Sequence, residues 1–254
     1  MKLRVLGSGT SSGVPRIGND WGDCDPGDPR NRRRRASILI EHDGKNIIVD
    51  TGPDCREQLL DANVATLDAV IWTHEHADHC HGIDELRGVY FNNRGTVQGY
   101  ARERTQAILT DRFPYAFQGF NEYPAYASVD LLPDDSMIAG VRVRVVDLPH
   151  GPISSAAMRF DIGDVAMAYA TDFNVLTDEA RKLFKGVDLW VVDSVRRRPH
   201  PTHPHLAQVL RWIDDLGVKQ AALTHLDQSM DYVTLKAELP EHVEPAYDGL
   251  EFVW

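Results

Sequence analysis

The chain has 254 residues, a hydrophobic fraction of 43% and a formal net charge of −11 at pH 7. These values suit one domain with a sizeable core, spanning residues 1–254. No apolar run reaches the about 20 residues that cross a bilayer, and the first apolar stretch is too short for a signal peptide. We therefore expect a cytoplasmic protein without a membrane partner. The acidity argues against nucleic acid as a general partner, because phosphate contacts need an excess of Lys and Arg.

Apolar runs alternate with amphipathic stretches along the whole chain. The predicted strands are residues 3–6, 37–41, 46–50, 69–73, 141–147, 156–161, 165–170, 188–192, 221–224 and 250–253. The predicted helices are residues 56–62, 82–87, 102–111, 178–184, with Thr177 as N-cap, and 206–216. Residues 92–136 are rich in Tyr, Phe, Pro and Gly, and their pattern is compatible with a lid over a site or with a surface connection.

Four predicted strands are followed by His or Asp. Strand 69–73 runs into residues 74–79, which read His-Glu-His-Ala-Asp-His. The other three are followed by His150, Asp172 and His225. Because layered α/β proteins build their sites at the carboxyl ends of strands, we expect these side chains to meet.

Imidazole and carboxylate are the usual ligands of zinc, manganese and iron. On an extended chain His74 and His76 can point to the same side, and His150 would complete their site. Asp78 and His79, at the start of the next helix, would face a second ion. His225 would complete that second site, and Asp172 would bridge both ions. The sequence thus predicts two divalent ions, zinc first and manganese or iron as alternatives. The run 74–79 alone would also fit a mononuclear site.

The ordered set Asp50-Thr51-Gly52, residues 74–79, His150, Asp172 and His225 resembles the motif series of the metallo-β-lactamase superfamily over nearly the whole chain. The resemblance implies an α+β fold, a four-layer αββα sandwich. It also implies that Asp50 orients the metal-binding loop without binding metal. Asp172 stands where true β-lactamases carry Cys or another ligand, which disfavours antibiotic hydrolysis.

Within the superfamily the chain resembles the phosphoribosyl cyclic-phosphate phosphodiesterases of phosphonate degradation and, more distantly, the tRNA 3′-end endonucleases. The segments that carry this likeness are residues 7–15, 27–33, 50–56, 199–203, 231–232 and 246–249. The likeness implies a homodimer. Relatives often hold a structural zinc with Cys-x-Cys-x-x-Cys and a His three residues beyond the last ligand. Here residues 19–24 contain only Cys24, and Gln228 stands at the distal position, so we expect no structural zinc.

His203 resembles the His that phosphodiesterase relatives place beside the scissile phosphate, and we assign it as general acid. Asp78 counts among the catalytic residues as well as the ligands. His200, His205 and Ser8 are candidate substrate contacts. The glycine- and hydroxyl-rich turn around Ser8 could instead support the metal loop. The arginine run 32–35 suits a solvated face, a phosphate-facing patch or a dimer contact.

The function predicted from these residues is hydrolysis of a small phosphodiester, cyclic or nucleotide-like, by a metal-bridging hydroxide. One alternative is a thioester or lactone hydrolase on the same metals. A second is a nucleotide-binding module with weak activity, which the intact ligand set opposes. A third is an RNA endonuclease, which the lack of a basic insertion opposes.

Overall fold

The computed structural model describes residues 1–254, and its strands form two sheets of seven strands each. The first sheet contains β1 (Lys2–Gly7), β2 (Ser37–His42), β3 (Lys45–Val49), β4 (Ala69–Trp72), β5 (Val97–Ala101), β6 (Ala127–Leu131) and β14 (Glu251–Val253). The second contains β7 (Asp135–Ile138), β8 (Val141–His150), β9 (Ile153–Ile162), β10 (Val165–Ala170), β11 (Leu189–Asp193), β12 (Gln220–Thr224) and β13 (Val243–Pro245). The strand orders are β14-β1-β2-β3-β4-β5-β6 and β13-β12-β11-β10-β9-β8-β7.

Eight α-helices connect or cover these sheets. They are α1 (Cys55–Asp61), α2 (Ala77–Cys80), α3 (Leu86–Asn93), α4 (Glu103–Arg112), α5 (Pro114–Phe117), α6 (Asp178–Phe184), α7 (Leu206–Leu216) and α8 (Tyr232–Glu238). Short 3₁₀ turns occupy Pro29–Asn31 and Ile83–Glu85. The predicted cap of α6 is present, because the Thr177 side chain accepts from the Ala180 amide. No helix has both the length and the apolar character that a bilayer span requires.

Three apolar clusters define four layers. The central cluster joins side chains of both sheets, such as Ile38 of β2 and Phe160 of β9. A second cluster packs helices against the outer face of the first sheet and includes Leu86 of α3 and Trp72 of β4. A third packs Val209 of α7 and its neighbours on the outer face of the second sheet. The predicted αββα sandwich is therefore confirmed.

Residues 92–136 depart from both interpretations of that segment. They contribute β6, which is one edge strand of the first sheet, and β5 beside it, together with α4 and α5. The segment is thus part of the framework rather than a lid or a plain connection. The polar residues of β6 and of the neighbouring β7 concealed these edge strands, because an edge strand exposes much of its surface and loses the alternating pattern. The short strand β13 and helix α8 were also not predicted.

Candidate metal centre

The predicted ligands lie together at one edge of the two sheets. Strands β10, β11 and β12 run parallel, so their carboxyl ends meet there. Asp172 and His225 follow two of these ends, and His150 is the last residue of β8. Asp50, Asp172 and His225 have positive φ angles of 67°, 57° and 56°. This left-handed backbone turns the chain sharply after each strand, a conformation that residues other than glycine adopt at a cost.

One group of side chains consists of His74, His76, His150 and Asp172, whose ligand atoms all lie within 4.8 Å of one another. Nε2 of His74 is 4.0 Å from Oδ1 of Asp172, and Nε2 of His150 is 3.6 Å from the same oxygen. The His76 ring lies 4.6 Å from the His74 ring and 5.1 Å from the His150 ring, centroid to centroid. Three imidazoles therefore surround one carboxylate oxygen.

A second group consists of Asp78, His79, His225 and again Asp172. Nε2 of His79 is 3.1 Å from Oδ2 of Asp172 and 3.2 Å from Oδ2 of Asp78. Nε2 of His225 is 3.5 Å and 3.7 Å from these two oxygens. The two oxygens of Asp172 thus face different groups, which is the arrangement expected of a carboxylate between two ions.

The donor set fits two divalent ions. The Nε2 atoms of His74, His79 and His225 are buried and make no hydrogen bond, so they are free to ligate. Ligands at about 2.0–2.2 Å from a tetrahedral ion stand roughly 3.3–3.6 Å apart, close to the separations within both groups. Nitrogen and carboxylate donors suit zinc, manganese or iron, and these groups contain no thiolate.

The charges of the two groups support the same interpretation. Burial opposes ionisation of Asp172, but the neighbouring His225 and His79 lower the pKa of its carboxyl well below the ordinary value. Burial by itself would lower the pKa of His225, but the neighbouring Asp172 and Asp193 raise it to about 9. The carboxylates are therefore ionised, and without metal they draw protons onto nearby imidazoles. A divalent cation would supply that positive charge instead.

Asp50 has the environment that its predicted role needs. It is fully buried, and its Oδ2 accepts from Nδ1 of His79 at 2.7 Å. Its Oδ1 accepts from the Thr73 amide at 2.8 Å. These bonds orient His79 so that Nε2 faces Asp78 and Asp172. Close by, a Cβ added to Gly52 would come within 2.2 Å of the Asp78 carbonyl oxygen, so only glycine fits there.

Asp193 ends β11 at the same edge and was not among the predicted site residues. Its side chain has no exposed surface, and its Oδ2 accepts from the Asp172 amide at 3.0 Å and from Nδ1 of His203 at 2.7 Å. Its Oδ1 lies 3.9 Å from Nδ1 of His225. The strand-end rule that pointed to Asp172 would also have found Asp193.

His203 and His200 lie beside the two groups, on the loop between β11 and α7. Nε2 of His203 is 3.8 Å from Oδ1 of Asp172, and its ring stacks on that of His225. The His200 ring lies 4.9 Å from the His203 ring. Burial and the neighbouring His203 lower the pKa of His200, which favours a neutral ring. His205 immediately precedes α7 and makes no side-chain hydrogen bond or ring contact with these residues.

Ser8, a predicted substrate contact, is engaged within the chain. Its side chain has no exposed surface, and its hydroxyl donates to Oδ1 of Asp248 at 2.9 Å. Its carbonyl oxygen accepts from the Leu226 amide, next to His225. The turn around Ser8 therefore supports the chain at His225, which is the alternative that the sequence left open.

The arginine run is largely engaged within the chain. Arg33 is buried and donates to the Met230 carbonyl at 2.7 Å, while Arg34 and Arg35 pair with Asp61 and Asp54. Arg33 also reaches Sγ of Cys24 at 3.7 Å. Arg32 is exposed and lies over the Trp21 ring. These contacts fasten the loop around Cys24 to the chain beyond His225 and do not form a common phosphate-facing patch.

A family model described as a beta-lactamase superfamily domain matches residues 45–226, which is more than half of the chain and includes every predicted ligand. The chain belongs to the metallo-β-lactamase superfamily. This superfamily chain stands close to the PhnP family. The crystal structure of a new diphosphatase from that family is 33% identical, covers 100% of this chain and 97% of its own, and superposes with a TM-score of 0.90.

Two curated proteins resemble this superfamily member over different spans. The octanoyltransferase of Porphyromonas gingivalis is 34% identical over an alignment of 260 positions, which covers 100% of this chain and 51% of that protein. The ribonuclease Z of Salinibacter ruber is 28% identical over 88 residues, which is 34% of this chain and 23% of that protein. The chain thus spans about half the length of the octanoyltransferase. We conclude that it is a metallo-β-lactamase-fold protein close to the PhnP family.

Proposed function

We propose that the chain is a dinuclear metal-dependent phosphodiesterase acting on a small phosphodiester, cyclic or nucleotide-like. One observation carries the proposal: Asp172 directs one oxygen to each group of ligands, and Nε2 of His203 lies 3.8 Å from one of these oxygens. A half-buried candidate proton donor therefore lies beside the two groups of ligands. The name of the PhnP-family diphosphatase supports chemistry at phosphorus.

The ligands divide by side chain as the geometry suggests. His74, His76 and His150 would hold one ion, and Asp78, His79 and His225 the other, with Asp172 between them. Zinc is the first candidate. When bound, two such ions lower the pKa of water from about 15.7 towards about 7 and neutralise charge on phosphoryl oxygens.

The remaining chemistry belongs to His203. Its Nε2 would donate a proton to the departing oxygen, while its Nδ1 remains bonded to the Asp193 carboxylate. The buried carboxylate fixes the ring orientation and stabilises the positive charge of the acid form. His200, whose pKa is lowered, would face the substrate as a neutral hydrogen-bonding ring.

A second candidate is hydrolysis of a thioester or carboxylic ester on the same metals. It is favoured by the octanoyltransferase of P. gingivalis, whose name indicates acyl chemistry. Because the chain spans about half of that protein, the acyl chemistry could belong to the other half. No matching observation in the site favours acyl substrates.

The test combines metal content with turnover on one sample. We expect about two ions per chain by elemental analysis. We expect hydrolysis of bis(p-nitrophenyl) phosphate and of small cyclic and diphosphate diesters that stops on chelation and returns with zinc. An octanoyl thioester is the substrate that tests the second candidate function. Two ions with turnover only of the thioester would replace the first function by the second, and fewer than one ion after reconstitution would contradict both.

A further inference from the structure

Glu75 separates the two histidines of the first ligand group and is held from outside the metal centre. Successive side chains of an extended chain point to opposite sides, so Glu75 points away from His74 and His76. It is only 5% exposed. Its Oε1 accepts from Nε of Arg104 at 2.8 Å, and its Oε2 accepts from the Thr105 hydroxyl at 3.3 Å. Both partners belong to the first turns of α4.

The last turn of α4 holds the backbone at the same position. Nη1 of Arg112 donates to the Glu75 carbonyl oxygen at 2.8 Å and lies 3.5 Å from Sγ of Cys80. The Cys80 thiol contacts the same carbonyl oxygen at 3.5 Å. The two ends of α4 therefore fix the side chain and the main chain of a single residue, and that residue lies between two ligands.

The two ligand groups differ in how they are supported. His79 of the second group has its own anchor in Asp50. His76 is exposed and makes no side-chain hydrogen bond, so its orientation depends on the backbone around Glu75. His74 is also held by the Thr73 hydroxyl, which lies 3.0 Å from its Nδ1. A rotation of the backbone at Glu75 would therefore act first on His76, which belongs to the first group alone.

We propose that Arg104, Thr105 and Arg112 are positioning residues that set the backbone at Glu75, and through it His76, for the first ion. This gives α4, and the segment 92–136 that contains it, a function at the metal centre. The inference rests on the proposed function only in requiring that the two groups bind ions. Loss of an outer hydrogen bond to a metal site commonly weakens metal binding by about 10- to 100-fold.

The test is chelator titration of the zinc-loaded protein, which measures the two dissociation constants separately. The ion lost in His150→Ala identifies the first site. We expect Arg104→Ala and Arg112→Ala each to raise the dissociation constant of that ion by about 10- to 100-fold. The dissociation constant of the second ion should stay within about twofold of the wild-type value. Arg104 is largely exposed and Arg112 is exposed, so both variants should fold.

Two controls separate positioning from general damage. Arg142→Ala removes an exposed arginine–carboxylate pair with Asp135, far along the second sheet, and should change neither dissociation constant. Arg104→Lys keeps a cation at Glu75 and should recover part of the lost affinity.

If the two variants weaken the binding of both ions equally, or weaken neither, the inference is overturned while the proposed function stays intact. A wild-type protein that binds no ion would instead overturn the proposed function itself.

Discussion

His203 donates from Nδ1 to Oδ2 of Asp193 across 2.7 Å, and the same oxygen accepts the backbone amide of Asp172. One buried carboxylate therefore orients both the proposed acid and the residue between the two ligand groups. Replacing it changes charge and hydrogen bonding without removing a proposed ligand, which makes Asp193 the sharpest position for mutation.

We expect Asp193→Asn to lower kcat on the order of 100-fold with metal content unchanged. The asparagine carbonyl can still accept the Asp172 amide, but an uncharged amide cannot stabilise a charged His203 ring. The measurement is steady-state turnover with elemental analysis of the same sample. Unchanged kcat at full metal content would remove Asp193 from the proton-transfer scheme.

The role of His203 predicts a dependence on the leaving group. His203→Ala should slow hydrolysis of a cyclic or alkyl phosphodiester by about 10²- to 10⁴-fold. Bis(p-nitrophenyl) phosphate should be affected much less, because nitrophenolate departs readily without a proton. The comparison of kcat for both substrates, at equal metal content, checks this. Equal losses on the two substrates would show that His203 is not a general acid.

The position of Asp172 predicts how metal content responds to mutation. His150→Ala and His225→Ala should each lose one of two ions. Asp172→Ala should weaken the binding of both ions, because the two oxygens of Asp172 face different groups. Elemental analysis after dialysis gives the counts. His242→Ala, at an exposed histidine outside the groups, is the control. Retention of two tightly bound ions by Asp172→Ala would exclude the bridging role.

Ser8→Ala tests the two interpretations of that residue. The variant removes a donor from the half-buried Asp248 carboxylate, so the free energy of unfolding should fall by about 1–3 kcal/mol. KM should not change, because the hydroxyl has no exposed surface. Urea unfolding and steady-state kinetics give the two quantities. A raised KM with unchanged stability would restore Ser8 as a substrate contact.

Asp248 predicts a pH-dependent stability. Burial raises the pKa of its carboxyl to about 6. An unfolded chain has the ordinary value near about 3.9, so the folded state holds the proton more tightly between these values. The free energy of unfolding should therefore fall as pH rises from about 4 to about 6, by up to about 3 kcal/mol.

The control for this effect is Asp248→Asn, which cannot titrate. Both proteins share the metal centre, so the difference between their urea-unfolding free energies cancels the titration of the ligands. A difference that is constant across this pH range would show that Asp248 titrates alike in the folded and unfolded states.

Most strands and the gathering of the ligand residues at one edge could be predicted from local patterns, whereas the αββα layering was implied by the resemblance to the superfamily. Alternating apolar residues mark strands such as β8, and His or Asp after a strand marks the edge where sites form. Asp193 carried the same signal and was overlooked. Bonds between distant segments left no such pattern. The contacts of Arg104 and Arg112 with Glu75 link α4 to the ligand loop, and neither sequence position indicates its partner.

The left-handed backbone at Asp172 and His225 has a consequence for selection in the laboratory. Each such residue costs about 1–3 kcal/mol of conformational energy, and a glycine there would remove much of it. In medium free of metal, no bound ion offsets that cost, and only the contacts of Asp172 with His79 and His225 remain to do so. A library screened for heat tolerance alone, without metal, would therefore accumulate replacements at these two codons first. Such a screen would yield a protein with higher thermal stability that can no longer bind metal at these groups.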